Sequence, residues 1–314
     1  MNRFPWILVG ALLWSLRTPM AAHAQGPGPS RPLRTNDVIA ILGGGGAEAR
    51  ARGAHWETLL MATHPGHRLR VLNFAREGDT VFSQLRDVNY PPPLRQVADA
   101  KATLCVLDFG QGEAYGGIDR LEAFAERLDQ WVVDVQALGV RVVLATPAPV
   151  LRPEPPPVEA YAERIRRIAQ HRNLPLIDVF EAARGRRGLS EDGRRLSDAG
   201  HARIAATALR PWLGNRAVPG VDANGRFQEP SWEALRQALV QRNALWKGYT
   251  RPTNWAFLAG DRTEQPSSRD HRDLKIRWFP AEMEQFVPLL QAADRQADAL
   301  AASAAPVPDS NTAR

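Results

Sequence analysis

An open three-layer α/β sandwich built on five parallel strands is the fold this sequence predicts, and three observations carry the prediction. Short apolar runs alternate with longer amphipathic stretches from Asn36 to about Leu213, the rhythm of strands and covering helices. The runs are continuously apolar, as strands covered on both faces are. Four segments rich in Gly and Asp each follow a strand or precede the last helix, so they fall on the rim where such sheets hold ligands.

The strands are expected at Val38 to Leu42, Leu69 to Phe74, Thr103 to Phe109, Val140 to Ala145 and Pro175 to Val179. Helical spacing of apolar residues predicts helices over Ala47 to Thr63, Ile118 to Leu138, Val158 to His171 and Ser197 to Leu213. Pro149 to Pro157 holds too many prolines for a helix or an inner strand and reads as a stiff rim loop. After Gly214 the rhythm changes. Residues 214–301 read as a helical extension, with helices over Trp232 to Tyr249 and Pro280 to Ala301 separated by an irregular charged stretch, Arg251 to Arg277. Residues 302–314 are small and polar and read as a disordered tail. Trp232, Trp246, Trp255 and Trp278 are expected to pack the extension against the sheet domain, with partner binding through these helices as an alternative use.

Residues 1–24 have the order of a secretory signal: basic Arg3, an apolar run from Trp6 to Leu16, then small residues ending Ala22-His23-Ala24. Cleavage before Gln25 and export to the periplasm or the extracellular space are the expectation, with a retained anchor as the competing reading. The apolar run falls short of the ~20 residues that a membrane span requires, so no transmembrane segment is expected after cleavage. With 44% hydrophobic and 24% charged residues, the composition is that of a globular chain. The net charge of +6 comes from arginines interleaved with acids, as in Asp261-Arg262-Thr263-Glu264, and this argues against nucleic acid as a partner. The one cysteine, Cys105, lies in the third apolar run and reads as a buried thiol. No His-x-x-x-His or Cys cluster calls for a metal, and no cofactor is expected.

The four rim segments are Ile41-Leu42-Gly43-Gly44-Gly45-Gly46, Asn73-Phe74-Ala75-Arg76-Glu77-Gly78-Asp79-Thr80, Phe109-Gly110-Gln111-Gly112-Glu113 and Asp192-Gly193-Arg194-Arg195-Leu196-Ser197. In order, spacing and flanks they resemble the blocks of the SGNH/GDSL hydrolase family, most closely its exported Planctomycetes-type members. The family pattern runs strand-Gly-Asp-Ser, Asn-x-Gly-x-x-Gly-Asp, Gly-x-Asn-Asp and Asp-x-x-His. That resemblance implies a flavodoxin-like sheet over residues 36–213 and an ester-cleaving ancestry. It places the nucleophile at Gly45, a backbone oxyanion donor at Gly78, the side-chain oxyanion donor at Gly112, the orienting acid at Asp192 and the base at Arg195.

Glycine has no hydroxyl with which to form an acyl-enzyme. Losing one oxyanion donor costs about 10² to 10³ in rate, and arginine does not give up its proton at physiological pH. The residues therefore point to a non-hydrolytic protein, either binding a small molecule or glycan of anionic character or serving as a scaffold. Gly44, Gly45, Gly46 and Arg195 are the candidate ligand contacts, because amides at a helix entrance and a guanidinium both attract anions. The alternative is a hydrolase of carboxylic esters or O-acetylated glycans with relocated groups. Its candidates are His201, from the literal Asp198-Ala199-Gly200-His201, and Ser267, Ser268 and His271 in the loop of the extension. Ser197 and Asp198, however, look like a helix cap and first turn, and a seven-residue cluster is weak evidence for a triad.

Overall fold

The computed structural model describes residues 33–213 and 216–304. The expected leader, residues 1–24, and all of the tail beyond Ala304 lie outside the described residues. Five strands, β1 (Val38–Gly43), β2 (Arg70–Asn73), β3 (Leu104–Asp108), β4 (Arg141–Ala145) and β5 (Leu176–Ile177), form one parallel sheet in the order β2-β1-β3-β4-β5. Successive strand residues face opposite layers. Ile39, Ile41, Leu104 and Val106 enter one core, and Ala40, Leu42, Cys105 and Leu107 enter the other. This explains why the runs are apolar throughout.

The first core is covered by α1 (Gly45–Gly53), α2 (His55–Thr63) and, later in the chain, α8 (Asp198–Ala208) and α9 (Arg210–Leu213). The second is covered by α3 (Pro93–Asp99), α5 (Leu121–Ala137) and α6 (Val158–His171). Two short helices, α4 (Gln111–Ala114) and α7 (Val179–Ala183), follow β3 and β5. The extension contributes α10 (Pro230–Thr250), α11 (Trp255–Leu258), α12 (Trp278–Glu284) and α13 (Phe286–Ser303). Among the described residues, no helix is long and apolar enough to cross a membrane.

Several expected elements are divided or shortened. The helix expected over Ala47 to Thr63 breaks at Ala54, whose φ of 51° is left-handed. Gly53 leaves the room the turn requires, because a Cβ there would lie 2.5 Å from His55 Nδ1. Proline divides two others: Pro211 and Pro288 each lack an amide and clash with the carbonyl four residues back, and α8 and α12 end accordingly at Ala208 and Glu284. The fifth strand is only two residues long because Asp178 leaves it to cap α7, accepting the Glu181 amide at 3.1 Å. The charged stretch 251–277 is less irregular than expected, containing α11, a 3₁₀ turn at Pro266–Ser268 and a bridge between Arg269 and Arg277. Ala302 and Ser303, expected in the disordered tail, continue α13.

The extension shares a core with the sheet domain. Trp232, Leu235 and Leu239 of α10 and Ala297 and Ala301 of α13 belong to the same buried cluster as Ile39 and Val106. On the open edge of β2, where alternate carbonyls point away from the sheet, Arg242 donates to Val71 O at 3.0 Å and Trp246 to Asn73 O at 3.2 Å. An edge covered in this way cannot recruit a foreign strand. Trp278 is the exception among the four extension tryptophans, being exposed.

Candidate functional site

The chain runs from β1 to β2 on one side and reaches β3 on the other, so the strand order reverses at β1 and opens a crevice beyond its carboxyl end. A cavity of about 490 Å³ occupies that place, lined by residues of all four rim segments, including Gly45, Gly78, Gly112 and Arg195. Thr80, Gln111, Tyr115, Arg152 and Arg194 complete most of its wall.

Of the successive glycines expected as ligand contacts, Gly45 lines the cavity and Gly44 and Gly46 do not, and the first three of the run have different reasons to be there. At Gly43 a Cβ would lie 2.3 Å from Asp108 O, and at Gly44 2.7 Å from Asp79 O, so close backbone approach requires both. At Gly45 the nearest atoms to such a Cβ are Arg195 Cζ and Glu77 Cγ, each 4.0 Å away. A side chain would fit there and project between that pair. Gly44 caps α1 without a side-chain hydrogen bond, and the first-turn amides of this nine-residue helix start at Gly45.

Gly78 has a φ of 83°, which a side chain would strain, whereas Gly112 has ordinary space, its nearest neighbour being Thr80 Cγ2 at 3.8 Å. The two segments are joined by Glu113. Its buried carboxylate accepts the amides of Val81 at 2.7 Å and Gly110 at 2.8 Å. Burial raises its pKa, and those backbone hydrogen bonds oppose the rise. Glu113 has no assigned role in the sequence reading. Its signal would have been a carboxylate three residues after a glycine at a helix entrance. Asp79 is committed to Arg86 through two hydrogen bonds of 2.7 Å.

Arg195 meets Glu77 at 2.6 Å, with both side chains about half exposed. Asp192 makes no side-chain bond to Arg195. Its carboxylate instead accepts the backbone amides of Arg194 at 2.8 Å and Arg195 at 3.1 Å, which lower its pKa, and so closes its own turn. Arg152 and Arg194 have no carboxylate within 4 Å among the described residues, and Arg152 Nε is buried without a hydrogen-bond partner. The cavity thus presents two guanidinium groups, those of Arg152 and Arg194, that form no salt bridge among the described residues, although Asp192 acts on Arg194 through space.

The relocated candidates lie elsewhere. His201 is buried in α8 and does not line the cavity. Burial holds its imidazole down to about 3, with nearby Arg50, His55 and Arg52 adding to the effect. Ser268 is fully buried, its hydroxyl donating to Gln265 O at 2.6 Å and Thr263 O at 2.9 Å. Ser267 is exposed, and the exposed His271 approaches Asp270 at 3.7 Å. None of these four lines the cavity. A further charged pair, absent from the sequence reading, lies beneath the site. Arg50 of α1 reaches Asp108 at the end of β3 at 2.5 Å and stacks 4.1 Å from the centre of the Trp56 ring.

The GDSL-like lipase/acylhydrolase family model matches residues 37–203. No curated protein matches the chain. Among solved structures, the chain is similar to an acetylxylan esterase from Geobacillus stearothermophilus, with 18% identity over 59% of this chain and 100% of that one and a TM-score of 0.48. It is also similar to an alpha/beta hydrolase enzyme from the metagenome of Lake Arreo, Spain, with 19% identity over 59% of this chain and 100% of that one and a TM-score of 0.47. With more than half of its length matched by the family model, this chain belongs to the GDSL-like lipase/acylhydrolase family.

Proposed function

We propose that the protein is an exported, non-hydrolytic member of this family that holds a small anionic molecule or acidic glycan in the cavity above Gly45. The observation that carries the reading is the adjacency of Gly45 and Arg195 on the cavity wall, where a Cβ on Gly45 would lie 4.0 Å from Arg195 Cζ. Where the family pattern calls for a hydroxyl there is open space, and where it calls for a base there is a permanent cation. Arg152 and Arg194 supply further charge, and the first turn of α1 adds amides and the positive end of its dipole. A planar carboxylate or a tetrahedral sulfate suits forked guanidinium donors. Export rests on the basic, apolar and small-residue order of residues 1–24.

Calorimetry with sulfate, acetate and glucuronate tests the binding reading. The wild type is expected to bind at least one of them about tenfold more tightly than Arg195→Ala does, about 1.4 kcal/mol, and equal affinities for all three would overturn it. The hydrolase alternative requires Ser267 or Ser268 to meet His201 or His271 beside Gly45, and none of the four lines the cavity. Turnover of p-nitrophenyl acetate is expected to stay at the buffer rate. Turnover that disappears in Ser268→Ala or His271→Ala would instead establish the relocated site.

A further inference from the structure

We infer that a cavity at the open edge of β2, separate from the one on the rim, is a binding site for a small aromatic carboxylate. This cavity has a volume of about 420 Å³ and is walled by β2, the end of α3, α10 and α13. It exists because the two faces of β2 are covered unequally. Val71, on one face, joins the core beneath α1 and α2. Leu72, on the other, meets the layer that begins with α3, whose seven residues reach only about 10 Å. The extension closes the remaining space from the side without filling it.

The wall is graded from apolar to cationic. Leu72, Tyr249 and Leu290 are buried and Trp246 is half-buried, and the Trp246 and Tyr249 rings stand 6.1 Å apart at 42°. Lys101 and Arg295 line the same cavity and are exposed, so they mark its mouth. The acids on the wall are already engaged: Asp294 pairs with Arg70 at 3.3 Å and with Arg242 at 3.0 Å, and Asp99 with Arg95 at 2.6 Å. Lys101 and Arg295 form no salt bridge within 4 Å among the described residues. The volume falls within the ~300–1,000 Å³ of small-molecule sites and well above the ~150 Å³ that takes one benzene ring. Two fused rings therefore have room. A cationic guest would be repelled at the mouth, and a neutral one would leave both cations without a partner. A flat apolar body suits the two ring walls, and one carboxylate at its end reaches Lys101 and Arg295.

Titration calorimetry with 2-naphthoate, its neutral counterpart 2-naphthamide and the ring-free acid octanoate tests this. 2-Naphthoate should bind at least about fivefold more tightly than 2-naphthamide and at least about threefold more tightly than octanoate. Lys101→Gln/Arg295→Gln, at two exposed positions, should bring 2-naphthoate down to the affinity of 2-naphthamide with the melting temperature unchanged. Ala100→Phe, at a half-buried wall position, should fill the cavity and abolish binding of both ring compounds. No binding of 2-naphthoate, equal binding of it and either comparison compound, or undiminished affinity in the double variant would overturn the site. The rim variant Arg152→Ala/Arg194→Ala should bind 2-naphthoate as the wild type does. A loss there would place the acid on the rim and overturn the edge site, while leaving the anion-binding reading of the rim intact.

Discussion

Arginine serves opposite ends in two parts of this molecule, the seam between sheet and extension and the cavity on the rim. Along the seam the charges are matched. Arg70 pairs with Asp294 and Asp298, Arg242 with Asp294 and the Val71 carbonyl, and Lys247 and Arg251 with Glu48 of α1. In the cavity Arg195 pairs with Glu77, while Arg152 and Arg194 form no salt bridge within 4 Å among the described residues. A charge matched in the fold contributes to holding it together. One left unmatched beside a cavity keeps its field for a guest.

If that contrast is right, substitutions on the two sides should separate stability from binding. The largest effect is expected at Arg242, 5% exposed at its side chain: Arg242→Ala removes the donor to Val71 O and one of the two cations on Asp294, leaving Arg70 as the other. It should cost about 1.5–3 kcal/mol in urea denaturation, and a loss below about 1 kcal/mol would place the seam among ordinary surface ion pairs. Within the glycine run, Gly43→Ala should cost about 1–3 kcal/mol by driving a Cβ into the Asp108 carbonyl. Gly45→Ala, with open space around it, should instead stabilise by about 0.4–1 kcal/mol. The same sign for both would erase the distinction between required and vacant positions.

A titration sharpens the contrast further. His201 is held down to about 3 in the folded chain by burial, against about 6.5 when unfolded, so the unfolded state takes up the proton first. Its contribution to stability is complete above about pH 6.5 and is lost as pH falls toward 3, at about 1.4 kcal/mol per pH unit. The half-buried His64, lowered to about 4 by burial and by Arg216 nearby, acts in the same direction. Denaturation midpoints between pH 7 and pH 5 should show this slope, and His201→Gln should flatten it. The smallest stability change is expected at Arg194→Ala, within about 0.5 kcal/mol, although it should weaken anion binding. A large stability loss there would assign Arg194 to the seam's class.

How far these features could be read along the chain depended on how local their causes are. The helix Val158–His171 has the expected limits, because its apolar stripe and the prolines before it are both written in adjacent residues. The divided helices were harder: Ala54 turns left-handed where His55 packs over Gly53, a contact that periodicity does not show. Gly45, Gly78, Gly112 and Arg195 could be placed near one another because each follows a strand or precedes the last helix of one sheet. Arg152 could not be, since nothing in a proline-rich loop says which way its side chain turns.

Residue order alone carried the parallel sheet, the buried Cys105 and the bare glycine after the first strand, because hydrophobic periodicity and the lack of a hydroxyl are properties of neighbouring residues. Packing decided that Glu113 would bind two rim segments together, that Asp192 would close its own turn, that Arg50 would pair with Asp108, and that two guanidiniums would line the cavity without a salt bridge. These contacts join residues far apart in the chain. Their partners are selected by the distances and burial that exist only once both layers have closed on the sheet.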